Sequence, residues 1–485
     1  MQPSSTDYVA LPPILRSATW PAKLPRRYKL LAACIAVFLV QYSQSQAMIA
    51  PFIVRSTPGE LLGPDAVGFI FAVYPLATAL ATPLPPRVLG CIGLRGMVVL
   101  GLSLSCIGNV LFGAAGHYAA EEWASVLGPL LTVARALGGV GAALSEAGCL
   151  TAVSSAGWGA DLGKALSSIE VTTGIGAAMG AAAGGYLYTV SGFFLPMAVG
   201  AAVLLLVLPI AICYLPRSAG EGGGGADGGA GGDDAKLPAE LQSAEPQPPT
   251  RYKSGPFHGV GRRLGRIATC ASLALGAAVF EGLNPLLEPH LKRHPFHLDV
   301  EPVGLLLALI CLIYTLTALP VGWLTDRANK GSQAGCRLRV LMLSGWVCTL
   351  IAGVLLAPGG GGGGDGGPDY SMWPLPGYLA HLCLAISIPL LGAGAALVII
   401  PSLPDMQRGI AEDDDENSES GMMRAAICAI WNGAYAGGSA VGPLLATMLY
   451  AREGWASIVL AQIALSLAAG AVLLTMACLP EQNAE

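Results

Sequence analysis

Charge is scarce in this chain. Only 12% of its 485 residues are Asp, Glu, Lys or Arg, against about 25% in a soluble domain. Hydrophobic residues make up 53% and the mean hydropathy is +0.60. So few charges cannot coat a soluble globule of this length, and the composition specifies a polytopic membrane protein. Other absences narrow the function. There is no phosphate-binding P-loop, no nucleophile triad and no zinc-ligand spacing, which argues against an enzyme or an ATP-driven pump. No cofactor, metal or nucleic-acid partner is expected. The chain has no Asn-x-Ser/Thr sequon. The polar, Pro-rich start Met1–Pro25 lacks a short apolar core with a small-residue cleavage site, so no signal peptide is expected. The twelve cysteines sit almost all inside apolar segments and imply no disulfide framework.

Long apolar runs are what the chain does have. A span needs roughly 20 apolar residues, and twelve candidates follow: 30–54, 65–86, 94–114, 124–150, 161–189, 193–215, 262–288, 303–325, 337–357, 375–400, 422–450 and 455–478. The expected fold is an all-α polytopic bundle of twelve transmembrane helices in two pseudo-symmetric groups of six. A Gly-, Asp- and Pro-rich stretch, 216–261, reads as a flexible linker between an N-terminal bundle, 30–215, and a C-terminal bundle, 262–478. Residues 1–29 and 479–485 are the tails. The Gly run 359–367 reads as a disordered loop, and the acidic run Glu412–Glu416 as a solvated one.

Lys and Arg set the expected orientation. With the N-terminus in the cytosol, 21 of the 26 basic residues fall on the cytosolic side and 4 on the other, with Arg135 inside a helix. Such a bias supports an even number of spans with both termini cytosolic.

The halves repeat each other. Gly180-x7-Tyr188-x3-Gly192-Phe193 is matched by Gly442-x7-Tyr450-x3-Gly454-Trp455, each position shifted by 262. Val67-Gly68 and Val303-Gly304 open the second and eighth spans alike. Parallel repeats of this kind place a substrate site near the midplane, between the halves.

Carboxylates inside apolar spans are costly and so are functional candidates. Glu170 lies about seven residues, roughly 10 Å, inside its helix end. It reads either as a cation or proton site or as a snorkelling or capping carboxylate that binds only protein. Glu281 lies about two-thirds of the way across its span and carries the same functional reading. Glu288, nearer the end, reads as an interfacial charge. Arg135 and Glu146 stand eleven residues apart on one helix face but, at ~16 Å of rise, cannot touch. Each reads as a proton-coupling group or a structural one. Gln41 and Gln44 are candidate donors to a substrate, or polar helix–helix contacts. Tyr314, Trp431, Asn432 and Tyr435 are candidate cavity residues whose aromatic faces would attract an organic cation, or packing residues. His290, His294 and His297 with Lys292 read as a solvated loop rather than a metal site.

Several motifs resemble the major facilitator superfamily. Gly322-Trp-Leu-Thr-Asp326-Arg327 is similar to the family's cytosolic-loop motif, in which the Gly permits close packing and the Asp can meet a helix N-terminus. The corresponding stretch of the first half, Pro83–Arg95, keeps Gly93 and Arg95 but lacks the Gly and the Asp. Arg135-x3-Gly139-x-Gly141 resembles the fourth-helix motif. Gly176-x3-Gly180-x3-Gly184-Gly185 resembles the fifth-helix motif of exporters and antiporters, with Ala181 where a Pro usually follows the middle Gly; Gly442-Pro443 keeps that Pro in the second copy. Finer likeness points to the vesicular amine transporter family, in its polyamine-transporting branch. Ser168-Ile169-Glu170 with the Gly ridge resembles that branch's fifth helix. Trp431-Asn432, Gly438 and Gly442-Pro443 resemble its eleventh, and Ile400-Pro401-x-Leu-Pro404-Asp405-Met406 the loop after its tenth. Glu281 stands where the branch has an acid.

The resemblance implies a secondary active transporter working by alternating access. It would exchange a cationic amine or polyamine against protons, as a monomer, in a vesicular, vacuolar or other endomembrane. A multidrug-like or uncharged-solute facilitator is the second expectation, and a non-transporting receptor or scaffold is the reading from another class. Tyr8-Val-Ala-Leu11 has the form of a tyrosine-based sorting signal.

Overall fold

No water pairs backbone N–H and C=O groups inside a bilayer, so apolar segments there must satisfy them internally, as helices. The computed structural model shows that solution throughout its long elements. It describes residues 25–47, 56–158, 161–217, 258–292, 296–298, 300–331, 333–357, 375–408 and 418–478. Residues 1–24 of the N-terminal tail, the C-terminal tail, residues 218–257 of the expected linker, the Gly run 359–367, the acidic run 412–416 and His294 lie outside the described residues; 26–29 of the expected tail belong to the start of the first helix.

The helices are α1 Arg26–Ala47, α2 Thr57–Leu80, α3 Leu84–His117, α4 Ala124–Ser154, α5 Leu162–Ser191, α6 Phe194–Tyr214, α7 His258–Leu291, α8 Val300–Ala328, α9 Ala334–Leu356 and α10 Gly377–Gln407. The run Ser418–Cys478 is broken at Gly454, where φ is 73°, into α11 (418–453) and α12 (455–478). Among the described residues twelve long helices result, in the order the apolar runs foretell. Boundaries differ where glycine allows an abrupt change of direction. The third span begins at 84 because α3 continues through a break at Gly93 (φ 72°), whose neighbour Leu94 donates its N–H to the Arg217 carbonyl. Arg95 Nε donates to the Leu215 carbonyl at 2.8 Å, so this loop segment ties the end of α6 to α3.

Among the described residues eight helices contain a stretch apolar enough to be recognised as a span by length and composition alone. The other four are α1, α2, α5 and α11, which carry buried Gln41, Gln44, Thr78, Thr172 and Asn432. Three of those four build the seams between the halves: α5 packs on α8, and α2 on α11. Within the first half α1 packs on α5, α3 on α4 and α6, and α2 on α4. In the second half α7 packs on α11, α10 on α8 and α9, and α9 on α12. Large apolar side chains such as Leu80, Leu206, Leu305 and Leu316 point outward, as a lipid-facing surface requires.

The end of the bundle that carries Arg26, Lys164 and Arg327 is called the basic end below. The buried core there is shared by both halves, joining Leu30, Val37, Leu150 and Ile169 to Ile399, Leu403, Cys428 and Trp431. At the opposite end each half has its own core, one around Phe112, Leu131 and Met197 and the other around Leu287, Leu356 and Trp455. The halves are therefore joined at the basic end and separate toward the other.

Candidate substrate cavity

Between the halves lies a cavity of about 280 Å³. The first half contributes Tyr42 and Ser45 from α1, Phe71, Tyr74 and Thr78 from α2, and Arg135 and Glu146 from α4. The second half contributes Glu281 from α7 and Asn432, Tyr435 and Ser439 from α11. Of the expected site residues it thus gathers Glu281, Arg135, Glu146, Asn432 and Tyr435. Arg135 and Glu146, too far apart on α4 to touch, line one wall.

The Arg135 guanidinium stands over two rings, 4.7 Å from the Tyr74 centroid and 6.0 Å from that of Phe112. A cation over an aromatic face is attracted by the ring quadrupole. Asn432 is buried beside Glu146, its side chain within hydrogen-bonding reach of that carboxylate.

Glu170 does not line this cavity. It borders a space of about 10 Å³ with Leu150, Leu166, Ile399, Leu403 and Trp431, and its Oε2 accepts a hydrogen bond from the Tyr314 hydroxyl of α8 at 2.5 Å. Trp431 donates its indole N–H to Ser402 Oγ at 2.7 Å and stacks on Tyr435, with centroids 6.3 Å apart and planes 9° from parallel. The stacked pair separates the two spaces: Tyr435 faces the cavity and Trp431 faces Glu170.

Gln41 and Gln44 do not line the cavity either; both are fully engaged within the first half. Gln41 Nε2 donates to Ser105 Oγ (3.0 Å) and Ser145 Oγ (2.8 Å), and Gln44 Nε2 donates to Gln41 Oε1 (3.0 Å). Their amides tie α1 to α3 and α4. Residue type marks them as polar, but only the packing tells which way they face. Tyr42, Phe71 and Tyr74 are cavity residues that residue-by-residue reading missed. Phe71, Tyr74 and Thr78 recur at i, i+3 and i+7, so one face of α2 carried the signal.

The motif residues act as close contacts. Gly176 and Gly180 set α5 directly on the Leu39 and Ser43 carbonyls of α1; Gly438 and Gly442, the latter followed by Pro443, set α11 on the Ala274 and Ala278 carbonyls of α7. Gly184 is buried on α5. Gly139 meets Tyr74 of α2, and Gly141 meets Gly101 and Ser105 of α3. Gly322 lets α8 approach Ser167 of α5. One turn on, Asp326 accepts the backbone N–H groups of Gly163 (2.5 Å) and Lys164 (3.1 Å) at the start of α5. Arg327 lies over the Trp323 ring at 5.5 Å.

The histidine expectation needs correcting at His290. It is buried rather than solvated, stacked on Trp455 with centroids 3.7 Å apart and planes 8° from parallel. The turn at Gly454 brings that Trp over it. Among the described residues there is no His, Cys, Asp and Glu grouping that could hold a metal.

Residues 31–414 match the sequence profile of the Major Facilitator Superfamily. The chain belongs to the major facilitator superfamily. Relatives named MFS-type transporter SLC18B1 align over 85% of this chain and 78% of their own length, at 23% identity in Rattus norvegicus and 24% in Homo sapiens. Among solved structures, the human organic anion transporter MFSD10 (TETRAN) superposes with a TM-score of 0.64 at 15% identity, covering 93% of this chain and 100% of that one. A bacterial homologue of the iron transporter ferroportin in an outward-facing state gives 0.62 at 16%, covering 93% and 99%. These likenesses establish the fold. The protein is accordingly an integral, multi-pass transporter of a small-molecule substrate, and not an enzyme.

Proposed function

We propose that this transporter exchanges a cationic amine for protons by alternating access. One observation carries the reading: a single cavity joins Glu146 and Glu281, from opposite halves, with the rings of Tyr42, Phe71, Tyr74 and Tyr435. Two carboxylates face one guanidinium there, and that guanidinium is applied to ring faces. Such a lining favours a positive, partly apolar guest. The volume lies just below the range for small-molecule pockets, about 300 Å³ and upward, which suits a slender amine.

The antiport logic follows from charge. A carboxylate inside the membrane is costly when unpaired, so a proton and an ammonium compete for Glu281 and Glu146, and the arrival of one releases the other. Asn432 offers a hydrogen bond beside them. Arg135 holds the aromatic wall. Glu170, Tyr314 and Trp431 flank the cavity, and Gln41 and Gln44 hold α1 in place behind it. The bundles 30–215 and 262–478 would rock about this site, with tails 1–29 and 479–485 and linker 216–261 on the cytosolic side of a vesicular or other endomembrane, in a protein that acts as a monomer.

Uptake of labelled mono-, di- and polyamines into proteoliposomes, with and without an imposed pH gradient, tests the proposal. Amine accumulation driven by the gradient is the expected result. Transport of no amine, or transport indifferent to the gradient, overturns it.

A further inference from the structure

The two seams between the halves are related by the internal repeat, yet they are built differently. Glu170 of α5 and Asn432 of α11 are equivalent positions, separated by the same interval as Gly180 and Gly442. On the α2–α11 seam Thr78 and Asn432 both open onto the cavity; the Thr78 hydroxyl donates to the Gly139 carbonyl, and the Asn432 side chain stands against Glu146 of the same cavity. On the α5–α8 seam the acid is taken: Tyr314 crosses from the other half and donates its hydroxyl to Glu170. Beside it there is room for no more than about one water. Glu170 nonetheless lies next to the cavity, directly behind the Trp431–Tyr435 stack.

A phenol donating to a carboxylate makes the same kind of contact as an ammonium N–H. We propose that Glu170 is a second cation subsite, serving substrate that enters from the basic end, and that Tyr314 occupies it in the present conformation as an internal stand-in for the amine. Separation of α5 from α8 at the basic end withdraws Tyr314 and frees the carboxylate for a primary or secondary ammonium. Reclosure returns Tyr314 and displaces the cation toward Glu146 and Glu281. Glu170 thus loads on one face and the cavity pair delivers on the other. The ligand class rests on the amine reading above; the Tyr314 latch does not.

Two measurements separate these. Cys428 is fully buried at the basic-end seam, its Sγ 3.3 Å from Gln407 Nε2, so its rate of alkylation, resolved by mass spectrometry and measured without amine, reports opening there. Tyr314→Phe removes the donor of the latch, and Glu170→Gln strips the acceptor of its charge while keeping a carbonyl oxygen. Each should raise that rate by about tenfold, the weight of one hydrogen bond to a charged group. Wild-type rates in either variant that reaches the membrane overturn the latch. Equilibrium binding of labelled spermidine then tests the subsite. Tyr314→Phe should tighten it, Glu170→Gln should not, and the double variant should lose the gain. A gain that persists without Glu170 overturns the subsite. Should no variant, nor the wild type, bind spermidine, the amine reading fails while the alkylation rates still decide the latch.

Discussion

Asp326 of α8 and Gly163 of α5 are 163 residues apart in sequence and 2.5 Å apart in space. With the Lys164 N–H also bound, one carboxylate from the second half closes the open N-terminus of a first-half helix, where unsatisfied N–H groups and the helix dipole favour negative charge. The cytosolic-loop motif of the second half is therefore a bond between halves. The matching stretch of the first half has Gly90 in the corresponding region and no such carboxylate, and its Arg95 binds the end of α6 instead.

Asp326→Asn should weaken that join. The amide keeps one acceptor oxygen but loses the charge, an expected loss of about 1.5–3 kcal/mol for a hydrogen bond to a charged group. Spin-label distances across the α5–α8 seam should shift toward a separated population. An unchanged distance distribution would show that the carboxylate does not hold this conformation.

Glu281→Gln keeps size and hydrogen bonding and removes the charge. At equal membrane abundance it should abolish gradient-driven amine uptake, and Glu281→Asp should retain part of it. Wild-type transport and pH dependence in the Gln variant would make Glu281 a structural residue.

Gly180→Leu and Gly185→Ala should differ sharply. A Cβ at 180 falls onto the Ser43 carbonyl of α1, whereas at 185 it meets nothing within 4 Å. Overpacking at 180 should cost about 1–3 kcal/mol or more, read as a lower thermal unfolding midpoint in detergent or loss of assembled protein. Ala at 185 should be neutral or slightly stabilising through helix propensity, by up to about 1 kcal/mol. Equal midpoints for both variants would contradict the close α1–α5 contact.

The distribution of 21 basic residues against 4 makes a topological prediction. A protease site inserted in 216–261 should be cut from the cytosolic face of intact vesicles. Cleavage only from the lumenal face would invert the orientation.

Much of the fold was legible because lipid demands long apolar helices and because the chain carries its own second copy. Gly180 and Gly442 could be paired by interval alone, and each sets a helix on its neighbour's backbone. The site was legible only in part. An acid such as Glu281 or Glu146 is conspicuous in a span, and both reach the cavity. Gln41 looked equally suited to a substrate, yet its amide is spent on Ser105 and Ser145, because facing depends on helix rotation, which one residue's type does not encode. Glu170 shows the same limit. Its depth was readable, but not its partner Tyr314, which comes from the other half. His290 was misread because the Trp that covers it arrives through a turn at Gly454.

That turn has a counterpart. Gly192, between α5 and α6, has φ 68° and Gly454, between α11 and α12, has φ 73°, a backbone region that side chains beyond glycine rarely tolerate. The helices of each pair are therefore joined by one or two residues, Gly192-Phe193 in the first half and Gly454 in the second, with almost no slack between them. If α5 slid along α1 it would drag α6 with it, and α11 would drag α12. Helices so tightly coupled cannot pump by individual strokes; they favour each half moving as one solid piece, pivoting where the seams meet.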